Sequence, residues 1–153
     1  MKIYLDSSAL NRIFDDQTQP RIYWEASAML LIFAFLEHAK LTLISSVALQ
    51  FESGRNPYLE RRLFVQEILG RATDFLPATS AVVQRAQQIE RQGIKPLDAL
   101  HLACAESAYA DAFITCDDKL LKTGATRLAI KTPPQFVLDL SGDGAKSEVP
   151  GEM

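Results

Sequence analysis

The stretch KPLDALHLACAESAYADAFITCDDKLLK, residues 95–122, joins a predicted helix, a buried strand and the start of another helix. Pro96 suits the first helical turn, because the amide hydrogen that proline lacks would have no partner there. Residues 112–115 are apolar and mostly β-favouring, which predicts a short strand buried inside an α/β sheet. Asp117 and Asp118 follow the carboxyl end of that strand, where open parallel sheets bind their ligands.

Strands and helices alternate along the rest of the chain. Predicted strands occupy residues 2–5, 41–44, 74–77, 112–115 and 128–130. Predicted helices occupy residues 9–14, 21–40, 47–55, 58–73, 80–91, 96–108 and 119–124, with a last apolar segment at 136–140. Alternating strands and helices imply right-handed crossovers and a parallel sheet that is covered on both sides.

The chain has the size and composition of one domain. Its 153 residues are 48% hydrophobic, which is ample for a single core, and no internal repeat or linker interrupts the pattern. We therefore expect one α/β domain at residues 1–140. The remaining stretch, SGDGAKSEVPGEM at residues 141–153, has no apolar periodicity and too few apolar groups to order itself, so we predict a flexible tail.

Charge and cysteine content argue against several classes of protein. A net charge of −3 argues against binding nucleic acid mainly through a wide basic surface, although bound cations can neutralise a local surplus of carboxylates. The two cysteines, Cys104 and Cys116, lack the spacing of a metal site and predict an unbridged, reduced pair. No signal-like segment follows Met1 and no apolar run could span a bilayer, so we expect a cytoplasmic protein without a membrane partner.

The predicted helix at residues 21–40 is apolar over more than one stripe. The simpler interpretation is a core helix, and the alternative is a helix that also offers an apolar patch to a partner chain. On that alternative we expect a homodimer, or a complex with another protein, formed through exposed apolar side chains. The candidates for this contact are Trp24, Leu31 and Phe35.

Four acids near element ends are the candidate site residues, namely Asp6, Glu52, Asp98 and Asp117. Each has an ordinary structural explanation. Asp6 and Asp117 can cap the helices that follow them, and Asp98 can interact with a helix dipole. Glu52 can be a solvated partner of Arg55. However, the first strand and a later strand of a doubly wound sheet can flank its switch point, which would bring Asp6 and Asp117 side by side.

Carboxylates crowded at one sheet edge repel each other, so a bound cation is the expected compensation. An all-oxygen ligand set favours Mg²⁺ or Mn²⁺ over zinc, and Mg²⁺ keeps several waters for a substrate phosphate and a nucleophile. The chemistry that suits such a site is phosphodiester hydrolysis. One metal ion would acidify the attacking water, and a second ion roughly 3.5–4 Å away would stabilise the leaving oxygen.

The motifs around these acids together resemble the PIN domain family, the fold of the VapC-type toxin ribonucleases. They are IYLDSSALN at residues 3–11, SSVALQFESGRNP at 45–57, PLDALHLACA at 96–105 and FITCDDKLL at 113–121. The resemblance covers about residues 2–140. It implies a single α/β/α domain with a parallel sheet of about five strands. It also implies divalent-metal-dependent cleavage of RNA by a toxin that has a separate antitoxin chain and forms pairs.

The resemblance further implies roles for individual residues. The four acids that match the family's metal ligands are Asp6, Glu52, Asp98 and Asp117. Ser8 and Thr115 match polar positions, where their hydroxyls would orient carboxylates. The family's T-x-D pattern falls on Asp117, which makes Asp118 the weaker candidate.

Other polar side chains near the acids have less specific interpretations. His101 lies one helical turn from Asp98 and could be a general base. A metal ion already generates the nucleophile, however, and a histidine within a helix is more often a hydrogen-bonded structural residue. Neighbouring carboxylates would raise the pKa of the Cys116 thiol and suppress its reactivity. Lys119 and Lys122 are candidate phosphate contacts on the helix after the last acid.

Two alternatives to a nuclease stay open. The first is a catalytically silent PIN domain that binds RNA or protein, against which the intact set of four acids argues. The second is a phosphatase or phosphotransferase that uses Asp6 as a covalent nucleophile. Such enzymes often carry a second aspartate two residues later as the acid, and that position is Ser8 in this chain.

Overall fold

One parallel five-stranded sheet forms the centre of the molecule, with the strand order β3-β2-β1-β4-β5. The structure is a computed structural model that describes residues 1–38 and 41–148. Its strands are β1 Lys2–Leu5, β2 Thr42–Ser46, β3 Asp74–Leu76, β4 Ala112–Ile114 and β5 Ile130–Lys131. The parallel sheet flanked by helices confirms the predicted α/β/α class.

The helices cover the sheet in packed groups. They are α1 Ser7–Leu10, α2 Pro20–Glu37, α3 Val47–Arg55, α4 Leu59–Leu69, α5 Ser80–Glu90, α6 Pro96–Ser107, α7 Asp118–Leu121 and α8 Pro133–Glu148, with a 3₁₀ turn at Arg12–Phe14. Helix α5 packs against α6, and α2 packs against α8. The helix predicted at residues 21–40 corresponds to α2, which ends at Glu37. Residues 39 and 40 of the predicted helix lie outside the described residues.

The switch point of the sheet lies between β1 and β4. From β1 the chain builds outward to β2 and β3 on one side, and then returns to form β4 and β5 on the other. Tyr4 is paired with Phe113 and Leu5 with Ile114, and the backbone N–H of Asp6 donates to the Ile114 carbonyl at 3.2 Å. The carboxyl ends of the two strands therefore meet at one edge, as the predicted topology requires.

The α8 helix crosses the boundary that we predicted at residue 141. It continues to Glu148, so the end of regular structure is eight residues later than expected. Extending an existing helix costs less than nucleating one, and the next proline, which would stop the helix, is Pro150. Residues 149–153 of the predicted tail lie outside the described residues, and its flexibility stays a prediction.

The predicted partner surface on α2 is only partly exposed. Trp24 and Leu31 are exposed, whereas Phe35 is half-buried and packs against the core. No helix within the described ranges combines the length and apolarity needed to cross a membrane.

The central strands should be the most sensitive part of the core. Phe113 is fully buried on β4 and stacks on Tyr4 of β1, with 5.2 Å between ring centroids. We expect Phe113→Ala to lower the free energy of unfolding by about 3–5 kcal/mol, because loss of this fully buried ring leaves a cavity in the core against one face of the sheet. Phe75→Ala, on the edge strand β3, should cost about 1 kcal/mol because that ring is 49% exposed. Urea denaturation of both variants measures the difference, and equal losses would contradict it.

Candidate functional site

Asp6 is buried where β1 ends, and three donors hold its carboxylate. It caps α1, because its Oδ1 accepts hydrogen bonds from the Ala9 N–H at 3.0 Å and the Ser8 hydroxyl at 2.7 Å. Its Oδ2 accepts a hydrogen bond from the Thr115 hydroxyl at 2.6 Å. Burial raises the pKa of Asp6 despite these hydrogen bonds. Both hydroxyl residues that the sequence singled out therefore contact this first acid.

Asp117 lies at the end of β4, across the switch point from Asp6. Its backbone N–H donates to the Thr115 hydroxyl at 3.0 Å, so one hydroxyl contacts residues from both strand ends. Its Oδ1 caps α7 by accepting the Lys119 N–H at 2.8 Å. Among residues 1–38 and 41–148, no donor lies on its Oδ2. Capping thus accounts for one oxygen of Asp117 and leaves the other available.

Glu52 is held by a buried chain of polar side chains. Its Oε1 is hydrogen-bonded to Nε2 of His101, whose Nδ1 lies 2.6 Å from the Tyr4 hydroxyl. That hydroxyl lies 2.7 Å from the hydroxyl of Ser46, the residue that caps α3. Burial alone would raise the pKa of Glu52, but the hydrogen bond and charge of His101 lower it overall. With both ring nitrogens engaged, the buried His101 positions Glu52, which agrees with its structural interpretation.

Asp98 is the least compensated of the four acids. It lies half-buried in the first turn of α6, and no donor from the described part of the chain bonds to its carboxylate. Burial raises the pKa of Asp98, and the nearby charges of Asp117 and Glu52 raise it further. His101 and Lys95 lower it in part. Asp98, Asp117 and Glu52 therefore share one electrostatic neighbourhood, and Asp6 adjoins Asp117 through the hydroxyl of Thr115.

The four acids are neighbours, but they do not form a ready-made metal site. Within the described residues, no three acidic, histidine or cysteine side chains are grouped closely enough to hold one metal ion. Glu52 bonds to His101, and Asp6 is occupied by its hydroxyl donors. The chemistry of the donors nevertheless fits a hard divalent cation, because Asp98 and Asp117 offer carboxylate oxygens without donors beside further negative charge.

The other predicted residues lie around the acids in different roles. Asp118 forms an ion pair with Arg21 at 2.8 Å, so its carboxylate binds a partner outside the group of four acids. Lys119 and Lys122 are exposed on and directly after α7, and neither forms an ion pair with a described residue. Both cysteines are free, and burial raises the pKa of the Cys116 thiol well above its usual value, which keeps it protonated.

The sequence did not reveal an ion-pair network behind the site. Glu25 is buried on α2, where it binds Arg12 at 2.7 Å and Arg21 at 3.2 Å. Arg21 also donates to the carbonyl of Cys116 at 3.1 Å, which connects α2 to the loop that carries Asp117. The four-residue spacing of Arg21 and Glu25 on one helix was the available signal. The Tyr4 and Ser46 contacts had no comparable signal, because they join distant segments.

Comparisons with known proteins agree with this architecture. The family model described as PIN domain matches residues 3–125. The structure of PAE2754 from Pyrobaculum aerophilum has a TM-score of 0.54 and 16% identity, covering 93% of this chain and 99% of that chain. A chain from the crystal structure of VapBC2 from Rickettsia felis, bound to a DNA fragment from the promoter of these proteins, has a TM-score of 0.53 and 14% identity. The match covers 86% of this chain and 98% of that chain. A search of curated proteins found no match.

The electrostatics of Asp98 predict how its replacement changes stability. The raised pKa means that the folded protein binds this proton more tightly than the unfolded chain does. The stability that this bound proton contributes is complete below the pKa of Asp98 in the unfolded chain. It is lost as the pH rises through the pKa of Asp98 in the folded protein. In EDTA we therefore expect Asp98→Asn to melt at a higher temperature than the parent near neutral pH. The difference should shrink towards a pH of about 4.

Thermal unfolding across this pH range measures the effect. Glu90→Gln is the control, because Glu90 is exposed at the end of α5, away from the acid cluster. The control should follow the parent at every pH. A lower melting temperature for Asp98→Asn at neutral pH would mean that the carboxylate stabilises the fold, contrary to this account.

Proposed function

The chain belongs to the PIN domain family, whose members are generally nucleases, and from this premise we propose that it is a divalent-metal-dependent ribonuclease that hydrolyses RNA phosphodiester bonds. The observation that supports this most strongly is the half-buried Asp98, which lacks a described hydrogen-bond donor and has the charges of Asp117 and Glu52 nearby, with Asp6 across the switch point from Asp117. A purely structural role would not require like charges to share this edge.

The proposed metal ligands are the four acids, Asp6, Glu52, Asp98 and Asp117. PIN nucleases generally use divalent metal ions, and the oxygen donors suit Mg²⁺, with Mn²⁺ as the other candidate. When bound, such ions lower the pKa of a water molecule and stabilise the leaving oxygen. Ser8 and Thr115 would orient Asp6, and His101 would orient Glu52. Lys119 and Lys122 would contact substrate phosphates.

We also propose that the protein is the toxin of a type II toxin–antitoxin pair and that its antitoxin is a separate chain. The support is the shared fold with a chain from the VapBC2 structure. This proposal concerns the partner and is independent of the chemistry at the acids. Expression with the product of a neighbouring small reading frame tests it, because a cognate antitoxin should copurify with the chain and suppress cleavage.

One observation favours a second candidate, a catalytically silent PIN domain that binds RNA or protein. As arranged, no three of the described acids are placed to hold one cation. On this alternative the carboxylates would be caps and hydrogen-bond acceptors, roles that Asp6 and Asp117 do fill. A phosphatase that uses Asp6 as a nucleophile has no comparable support. The residue two positions later, where such enzymes carry their acid, is Ser8, which donates a hydrogen bond to Asp6.

Replacement of single acids separates these candidates. We expect Asp117→Asn and Asp6→Asn to abolish Mg²⁺-dependent RNA cleavage while keeping the fold, because asparagine still caps a helix but is a poorer ligand for a hard cation. Addition of Mg²⁺ should raise the melting temperature of the parent more than that of either variant. Asp118→Asn is the matched control, because this neighbouring acid pairs with Arg21. It should retain near-parental cleavage.

Cleavage of labelled RNA with Mg²⁺, with Mn²⁺ and with EDTA gives the readout. If the parent shows neither metal-dependent cleavage nor metal-induced stabilisation, the nuclease proposal fails and the binding-module candidate replaces it. If Asp117→Asn cleaves as fast as the parent, the ligand assignment of that residue fails.

We propose further that the chain forms a homodimer through α2, where Trp24 and Leu31 are exposed apolar side chains. Light scattering should give twice the mass of one chain for the parent. Trp24→Ser with Leu31→Ser should shift the mass to that of a monomer. Tyr109→Ser, at an exposed aromatic position after α6, is the control and should stay dimeric. A monomeric parent at high concentration would exclude this dimer.

A further inference from the structure

A cleft of ≈ 380 Å³ opens beside the acid cluster, between α3, the start of α4 and the start of α6. Glu52 lines it directly, and so does Leu97, the neighbour of Asp98 in the chain. Its other walls include two aromatic rings and two guanidinium groups, contributed by Phe51, Tyr58, Arg55 and Arg61. A chain bound across the acids would therefore meet this cleft next.

The two rings are open to solvent although both are large and apolar. Phe51 is 50% exposed and Tyr58 is 65% exposed. The guanidinium of Arg55 lies 5.0 Å from the centre of the Phe51 ring, and that of Arg61 lies 5.4 Å from the centre of the Tyr58 ring. Single exposed aromatics are common on protein surfaces, but two in one cleft, each beside an arginine, form a surface suited to planar ligands.

The charge in the cleft is opposite to that of the adjacent acids. Arg61 is paired with Asp15 at 3.1 Å, whereas Arg55 has no carboxylate partner within the described residues. One guanidinium is thus available for an anion, on a chain whose net charge is −3. A positive group beside a cation-binding acid cluster matches a ligand with repeated negative charges, such as a phosphodiester backbone.

The loop that presents Tyr58 is held in place before any ligand arrives. The Asn56 side chain accepts a hydrogen bond from the Tyr58 N–H at 3.0 Å and donates one to Asn11 at 3.3 Å. Arg62 donates to the Asn56 carbonyl at 2.8 Å. Arg61 fixes the other side by donating to the Phe14 carbonyl at 2.9 Å. A rigid aromatic surface loses little conformational entropy on binding, which favours affinity.

We propose that this cleft is a nucleobase-binding subsite for single-stranded RNA. In it, Phe51 and Tyr58 stack on bases next to the cleaved bond, and Arg55 binds a backbone phosphate. The bases of a duplex are stacked within the helix and cannot reach these rings, so the subsite selects single strands. The inference rests on the proposed ribonuclease function and specifies which form of RNA that site accepts.

Affinity for RNA can be measured separately from cleavage. In the Asp117→Asn background with EDTA, a short fluorescent single-stranded RNA should bind with an affinity that Phe51→Ala or Tyr58→Ala each lowers roughly 5- to 150-fold. Phe51→Tyr keeps a stacking ring and should restore the affinity. Phe75→Ala is the matched control, since Phe75 is 49% exposed on β3 and does not line the cleft. It should bind like the parent.

The salt dependence of binding tests the role of Arg55. Arg55→Gln should reduce the slope of log affinity against log salt by about 0.7, because one phosphate contact on a single strand is lost. In the parent background with Mg²⁺, Phe51→Ala should raise KM and leave kcat close to the parental value. A duplex of the same sequence should bind more weakly than the single strand.

The possible outcomes distinguish this subsite from the nuclease function. RNA binding that depends on Phe51 and Tyr58 without any cleavage would support the subsite while the nuclease proposal fails. Metal-dependent cleavage with equal RNA affinity in Phe51→Ala and Phe75→Ala would overturn the subsite and leave the nuclease intact. Equal affinity for duplex and single strand would also overturn it. The subsite would likewise be overturned if Phe51→Ala and Tyr58→Ala changed only the oligomeric state or antitoxin binding, since the cleft would then be a protein-docking surface.

Discussion

The hydroxyl of Thr115 joins the two strand ends on which the candidate site depends. It donates to Asp6 at 2.6 Å and accepts the backbone N–H of Asp117 at 3.0 Å. The pairing of β1 with β4 brings these residues together, and Ser8 adds a second connection by accepting the Cys116 N–H at 3.0 Å. A buried carboxylate is unfavourable without such donors, so this small network allows Asp6 to be buried where β1 ends, at the carboxyl edge of the sheet.

The site combines rigid support with charge that is only partly compensated. Asp6 and Glu52 are held by hydroxyl or imidazole partners, whereas Asp98 receives no described donor and carries a raised pKa. Such an arrangement stabilises the fold less than a neutral one would, because like charges share a partly dehydrated region. Proteins keep unfavourable charge of this kind mainly where it serves a function. The ion pairs of Glu25 with Arg12, on the 3₁₀ turn, and with Arg21, on α2, brace the neighbouring loop.

The surface next to the acids has a different character. Negative charge gathers where β1 and β4 end, and the cleft beside Glu52 carries arginines and open aromatic rings. Together they form a surface on which carboxylates, a guanidinium without a described carboxylate partner and planar side chains adjoin. The net charge of −3 does not show this difference between the acids and the cleft, because it sums the charges of all surfaces of the protein.

Local patterns in the sequence were sufficient for the order of elements, the parallel α/β/α class and the placement of four acids near element ends. These features depend on periodicity, strand ends and capping, which act over a few residues, as when Ser46 caps α3. The sequence misjudged the end of α8, because helix extension depends on the preceding turns. Only the tertiary structure decided that His101 holds Glu52, that Asp98 lacks a donor and that no three described acids yet surround one point. Those contacts join segments tens of residues apart, and side-chain packing between helices and sheet sets their geometry.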